Sequence, residues 1–175
     1  MNDCIAALVE REGGYDIFTD RPSDRGGPTR AGITLPTLSC WLGHPATADE
    51  LKALTHEQIH QLYANLFYAP FAEITDEKLR TFLFDYAVNS GVTAVIHVLQ
   101  HCLNVPVDGE LGPKTLAAAG AADPHALFSC VFQDRLARFL HLALGESDVH
   151  AFLIAHPQSQ LWNLAGWTRR LAEFI

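Results

Sequence analysis

Two adjacent glycines set the first boundary in this chain. Residues 3–12 place apolar side chains at Ile5, Leu8 and Val9, the spacing of one helical face, with Asp3 as a candidate N-cap and Gly13-Gly14 as a stop. From Tyr15 to Thr34 the pattern breaks down. Gly26, Gly27, Gly32, Pro22 and Pro28 stand there among charges of both signs, which predicts a loop or small irregular β-hairpin and no regular helix. A fold built on this sequence must therefore carry an irregular lobe directly after its first helix.

Helical patterning resumes at Thr55. Thr55 and Gln58 form a candidate capping box, followed by an apolar face of Ile59, Leu62, Tyr63 and Leu66. Residues 76–90 are apolar on nearly every side (Leu79, Phe82, Leu83, Phe84, Tyr86, Val88), the mark of a helix packed centrally. Thr93 is a candidate cap for a helix through Leu103, and residues 104–113 read as a turn-rich link. Asp123-Pro124 supplies N-cap and N1 for a longer helix to about Leu144, because proline at N1 forfeits no hydrogen bond. Shorter helices are expected near 147–155 and from Ser159 onward. No repeat or linker interrupts the pattern, so the expected class is mainly α in one compact domain.

Composition narrows the partners. With 12 Lys plus Arg against 20 Asp plus Glu among 175 residues, the net charge of −8 has the wrong sign for neutralising phosphates, so nucleic acid is not an expected partner. No apolar run reaches the ~18 residues of a membrane span, so no membrane insertion is expected. The first fifteen residues lack the basic and apolar regions of a secretory signal, and Glu10 and Glu12 fall where the apolar region would be. Synthesis in the cytoplasm without a signal peptide is the expectation. Cys4, Cys40, Cys102 and Cys130 include no C-x-x-C pair, and buried free thiols are preferred over a disulfide.

Glu12 is the sharpest chemical feature. Its position continues the apolar stripe at the C-terminal end of a helix, where poor solvation and the negative end of the helix dipole both favour a protonated carboxyl. A carboxyl that keeps its proton can deliver it to a leaving group, the work of a general acid. The competing reading is a frayed terminal glutamate in solvent. Asp16, Asp20, Asp24, Thr29 and Thr34 follow in the loop and offer a second polar group of the kind a glycosidase needs across the scissile bond, although such residues are also ordinary turn formers.

A second motif competes with the first. His56-Glu57-Gln58-Ile59-His60 is a literal H-E-x-x-H, which on a helix sets two imidazoles one turn apart. The extended form of the zinc site would need glycine and histidine where Tyr63 and Leu66 stand, leaving Glu73 or Glu77 as distant third ligands. A polar first turn after the Thr55 cap explains the same residues. Asp85 and Asn89, with Thr81 a turn earlier, draw a polar line on an apolar helix that either faces a substrate groove or ties parts of the fold together. Among Tyr15, Tyr86, Trp162 and Trp167, Tyr15 is the candidate for stacking on a sugar ring, because it adjoins Glu12.

Taken in order, these residues resemble the lysozyme-like muramidases of glycoside hydrolase family 108. Its Glu-Gly-Gly-Tyr signature stands as Glu12, Gly13, Gly14 and Tyr15; its following run as Asp24, Gly26, Gly27, Thr29, Gly32, Ile33 and Thr34; its central-helix pattern as Asp85, Val88, Asn89 and Gly91. The later part resembles the peptidoglycan-binding segment that accompanies the family, in Leu99-Gln100, Asp108-Gly109, Gly112-Pro113, Thr115, Gly166-Trp167 and Arg170. Two positions depart from the pattern: Arg11 precedes the glutamate in place of histidine, and Arg25 follows Asp24 in place of proline.

The resemblance implies a mainly α, lysozyme-like helical globule with a small irregular loop or hairpin lobe. It implies a catalytic segment at 1–92 and a peptidoglycan-binding helical segment at 93–175, packed together. The implied reaction is hydrolysis of the β-1,4 bond between N-acetylmuramic acid and N-acetylglucosamine, without a cofactor. Glu12 would be the acid, Asp24 or Thr29 would assist on the opposite face, and Tyr15, Asp85 and Asn89 would contact substrate. The partner is peptidoglycan, met after pore-mediated release as a phage endolysin or after export as an antibacterial effector, the latter with a cognate immunity protein. The alternatives are a zinc-dependent wall peptidase on His56, Glu57 and His60, and a non-catalytic wall-binding module.

Overall fold

The computed structural model describes residues 2–20 and 27–144. The expected helices near 147–155 and from Ser159, and the positions of Asp24, Arg25, Trp162, Gly166, Trp167 and Arg170, lie outside the described residues. The chain divides into two compact units, Met1–Ala72 and Glu73–Ile175. The division carries no Gly, Ser or Pro tract that would have marked it.

In the first unit, α1 (Asn2–Arg11) and α4 (His56–Tyr63) bring Ile5, Leu8 and Val9 together with Ile59, Leu62 and Tyr63, all at most 1% exposed. Asp3 lies in the first turn of α1 rather than at its cap. Thr55 and Gln58 form the expected capping box, with the Thr55 amide donating to Gln58 Oε1 at 2.9 Å and the Gln58 amide to Thr55 Oγ1 at 3.2 Å. Past α4 the chain runs through a π-helical turn, Ala64–Tyr68, and a 3-10 turn, Ala69–Phe71.

Two short helices were not legible in the sequence. In α2 (Leu35–Leu42), Thr34 caps the start by accepting from the Thr37 amide, and Gly43, at φ 75°, closes the end by donating to the Ser39 carbonyl. In α3 (Ala48–Ala53), Thr47 and Glu50 form a second capping box. Each helix buries a single residue, Leu38 in α2 and Leu51 in α3, so neither shows a periodic apolar face, and their caps fix where they begin. Between α1 and α2 the irregular stretch forms three antiparallel two-residue strands in the order β1 (Phe18–Thr19), β2 (Thr29–Arg30), β3 (Ile33–Thr34). Thr19 pairs with Thr29 and Arg30 with Ile33.

The second unit packs α5 (Glu77–Ser90), α6 (Val92–Cys102) and α8 (Pro124–Leu144), with α7 (Pro113–Ala121) between the last two in sequence. Asp76 caps α5 by accepting from the Leu79 amide at 2.7 Å, and Asp123 accepts from the Ala126 amide at 2.8 Å, so Asp123-Pro124 starts α8 as expected. The cap of α6 is Gly91 rather than Thr93, which falls inside the first turn. Gln100, fully buried, organises the 104–113 link and the start of α7. Its amide nitrogen donates to Asp108 Oδ1 (2.6 Å), the Glu110 carbonyl (2.9 Å) and Thr115 Oγ1 (3.2 Å), while its oxygen accepts from the Gly109 amide (2.9 Å). A disulfide joins Cys102 to Cys130, fastening α6 to α8. That corrects the expectation of thiols throughout, because α6 and α8 pack side by side and bring distant cysteines together. Cys40 remains a thiol and is exposed rather than buried. Among the described residues, no helix is long and apolar enough to cross a membrane.

Candidate active site

The end of α1 fixes Glu12. The Gly14 amide donates to the Val9 carbonyl (2.9 Å) and the Gly13 amide to the Glu10 carbonyl (3.2 Å), with the Glu12 amide still in the ladder on Leu8 (3.0 Å). This crossed pair is a Schellman cap with Glu12 as its C-cap residue and Gly13, at φ 111°, as the left-handed residue that follows it. The double glycine therefore does more than end a helix. It holds Glu12 half-buried at a defined turn, where a frayed glutamate would be exposed.

The hairpin between β2 and β3 packs against this turn. Ala31 (φ 50°) and Gly32 (φ 77°) are its two loop residues, both left-handed as a type I′ turn demands. The Ala31 amide donates to the Ile17 carbonyl at 3.0 Å, and its carbonyl accepts from the Tyr63 hydroxyl at 2.8 Å. A methyl group on Gly32 would lie 2.9 Å from that hydroxyl and 3.1 Å and 3.2 Å from Glu12 Cβ and Cγ. Glu12, the hairpin tip and the end of α4 thus meet at a point where only glycine fits. Burial, and secondarily the Glu12 charge, push the Tyr63 hydroxyl well above the usual tyrosine range, so it stays a neutral donor. The sequence pattern shows Tyr63 only as part of an apolar face, because its hydroxyl's partner lies 32 residues away.

Thr29 sits in β2 with its hydroxyl 2.6 Å from that of Thr19, a cross-strand pair. Tyr15 is half-buried; burial and then the negative charge of Glu10 raise its pKa. Its ring lies against His56, with centroids 4.8 Å apart and planes tilted by 34°. His56 Nε2 is 2.9 Å from Asp16 Oδ1, and Arg30 Nε donates to the Tyr15 carbonyl at 3.3 Å.

A glycosyl hydrolase 108 model matches residues 5–91, and a model of a predicted peptidoglycan domain matches residues 94–172. The chain belongs to glycosyl hydrolase family 108. Among solved structures it is similar to that of Brucella abortus SagA, at 28% identity over 98% of this chain and 89% of that one, with a TM-score of 0.76. A comparison with curated protein sequences found no match. This family 108 protein is a glycoside hydrolase with a lysozyme-like fold, and peptidoglycan is its substrate class.

Asp85, which the sequence leaves open between lining a groove and tying parts of the fold together, is only 2% exposed and ion-pairs with Arg135 inside the second unit. The Arg135 guanidinium is also ringed by Phe82, Tyr86 and Phe139, each centroid about 5 Å away (5.1, 5.2 and 5.2 Å). Burial explains the pairing: a carboxylate on an all-round apolar helix needs an internal cation, and α8 provides one that nothing in the local pattern announced. Asn89 is exposed and donates from Nδ2 to the Asp85 carbonyl at 3.2 Å. The H-E-x-x-H residues diverge. His56 turns to Asp16, whereas Glu57, which accepts from Gln61 at 2.9 Å, and His60 line a cavity of about 510 Å³ with Asp3 and Asn65. Among the described residues no three potential ligands gather around a common point.

Proposed function

We propose that this hydrolase cleaves the β-1,4 bond between N-acetylmuramic acid and N-acetylglucosamine, with Glu12 as the acid that protonates the glycosidic oxygen. The observation that carries the reading is the Schellman turn that fixes Glu12 against the Gly32 hairpin and Tyr63. A general acid needs a defined position relative to the leaving oxygen, and a capped, half-buried turn supplies it. Tyr15, three residues on, is the aromatic platform for a sugar ring. Thr29 or Asp24 supplies the polar group on the opposite face. Residues 1–92 form the catalytic segment and 93–175 the wall-binding one, where the Gln100 network keeps the 104–113 link in shape.

Digestion of purified peptidoglycan with identification of the new ends tests this. New reducing muramic acid ends are expected, and Glu12→Gln should lower their rate by roughly 10²- to 10⁴-fold. New amino termini would instead favour a peptidase, and sacculus binding without release a silent module. The Cys102–Cys130 disulfide favours work outside the cytoplasm. Accordingly the enzyme acts at the wall, either as an endolysin after pore-mediated release or as an exported antibacterial effector. The effector route calls for an immunity protein in the producing cell, detectable as a neighbour-encoded inhibitor that binds the purified enzyme.

A further inference from the structure

The first histidine of the H-E-x-x-H motif is left without a role by the glycosidase reading, yet it makes two contacts to successive residues forty positions away. His56 lies at the start of α4. Its ring packs on Tyr15 at 4.8 Å, and its Nε2 meets the Asp16 carboxylate at 2.9 Å. Arg30, from β2, reaches the same two residues, donating to the Tyr15 carbonyl at 3.3 Å and approaching Asp16 Oδ1 at 3.9 Å. It is itself anchored on the Lys52 carbonyl of α3. The segment that leaves the double glycine is thus tied at Tyr15 and Asp16 from two sides, by His56 and by Arg30.

Packing alone does not account for this. The side chains of His56 and Asp16 are 59% and 82% exposed, so their pair adds little to stability. What the contact fixes is the direction of Tyr15, whose ring would otherwise be set by a loop that begins with two glycines.

We propose that His56 is a positioning residue of the saccharide site, holding Tyr15 and Asp16 as an ordered, ring-bearing edge beside Glu12 for a pyranose of the glycan strand. The assignment rests on the reading of Glu12 as the acid. A tie of this kind acts on substrate binding more than on the chemical step, since the acid is held separately by its own Schellman turn.

Steady-state kinetics on soluble glycan strands released from sacculi separate the two. His56→Ala is expected to raise KM roughly five- to tenfold, the worth of one well-placed aromatic contact, with kcat within about twofold. His56→Gln, which keeps a donor for Asp16, should recover part of the loss. His60→Ala, one turn along the same helix, should leave KM unchanged. The thermal midpoint of His56→Ala should move by no more than about 2 °C, as for other exposed positions. An unchanged KM in His56→Ala overturns the proposal, as does an equal rise in His60→Ala or a fall in kcat alone. Glu12→Gln run alongside reports on the acid independently. Full activity there would remove the Glu12 reading without altering the KM comparison.

Discussion

Gly32→Ala is the most direct test of how the site is assembled, because two separable costs are built into it. The first is conformational: at φ 77° an L-residue pays about 1–2 kcal/mol for the left-handed region. The second is steric. The new methyl would stand 2.9 Å from the Tyr63 hydroxyl and 3.1 Å from Glu12 Cβ, and overpacking of this kind costs about 1–3 kcal/mol. Together the loss is about 2–5 kcal/mol. Gly43 provides the matched control, since its φ of 75° is nearly the same and nothing lies within 4 Å of where a methyl would go. Gly43→Ala should therefore lose only the first part. Urea unfolding of the two variants measures the difference, and the hydrolysis rate of Gly32→Ala should fall further than its folded fraction explains, because relief of the clash moves Glu12. If Gly32→Ala is no less stable than Gly43→Ala, the close approach of hairpin, Tyr63 and Glu12 is wrong.

Other outcomes follow from the second unit and from Tyr63. Reducing or removing the Cys102–Cys130 bond, which spans 28 residues, should cost about 3–4 kcal/mol by loop closure, read as a drop in the urea midpoint with dithiothreitol. Arg135→Met alone should cost about 3–5 kcal/mol by leaving the buried Asp85 carboxylate without its guanidinium, and the double variant with Asp85→Leu should cost less; equal losses would argue against the ion pair. Hydrogen bonds from the Glu110 amide and then from Gln100 hold the Asp108 carboxyl below its ordinary range. The folded state therefore binds fewer protons there than the unfolded one. Its contribution is complete above the ordinary carboxylate pKa and is lost as the pH falls through the lowered value, so Asp108→Asn should flatten the acid limb of a stability–pH profile. Tyr63→Phe, which strands the Ala31 carbonyl, should cost about 1–3 kcal/mol by thermal unfolding.

Local chemistry was legible in the sequence where a cap or turn adjoins an extended apolar face. Ile5, Leu8 and Val9 announced α1, Gly13-Gly14 announced its end, Thr55 and Gln58 announced a capping box, and Asp123-Pro124 announced α8. Each is a pattern of a few neighbouring residues whose backbone preferences and hydrogen bonds are satisfied nearby. The helices α2 and α3 escaped because their caps adjoin no long apolar stripe.

What tertiary structure decided is which distant partners meet. That Gly32 must lack a side chain because Glu12 and Tyr63 crowd it, that His56 serves Tyr15 and Asp16 rather than a third ligand, and that Asp85 is claimed by Arg135 all depend on contacts between residues twenty to fifty positions apart. Cys102 and Cys130 belong to the same class, since a thiol's partner is set by the packing of α6 on α8 and leaves no trace in the sequence around either one. The residue types in a chain limit what each position can bond to, whereas the choice among those bonds falls to the burial that brings one candidate within reach and removes water from the rest.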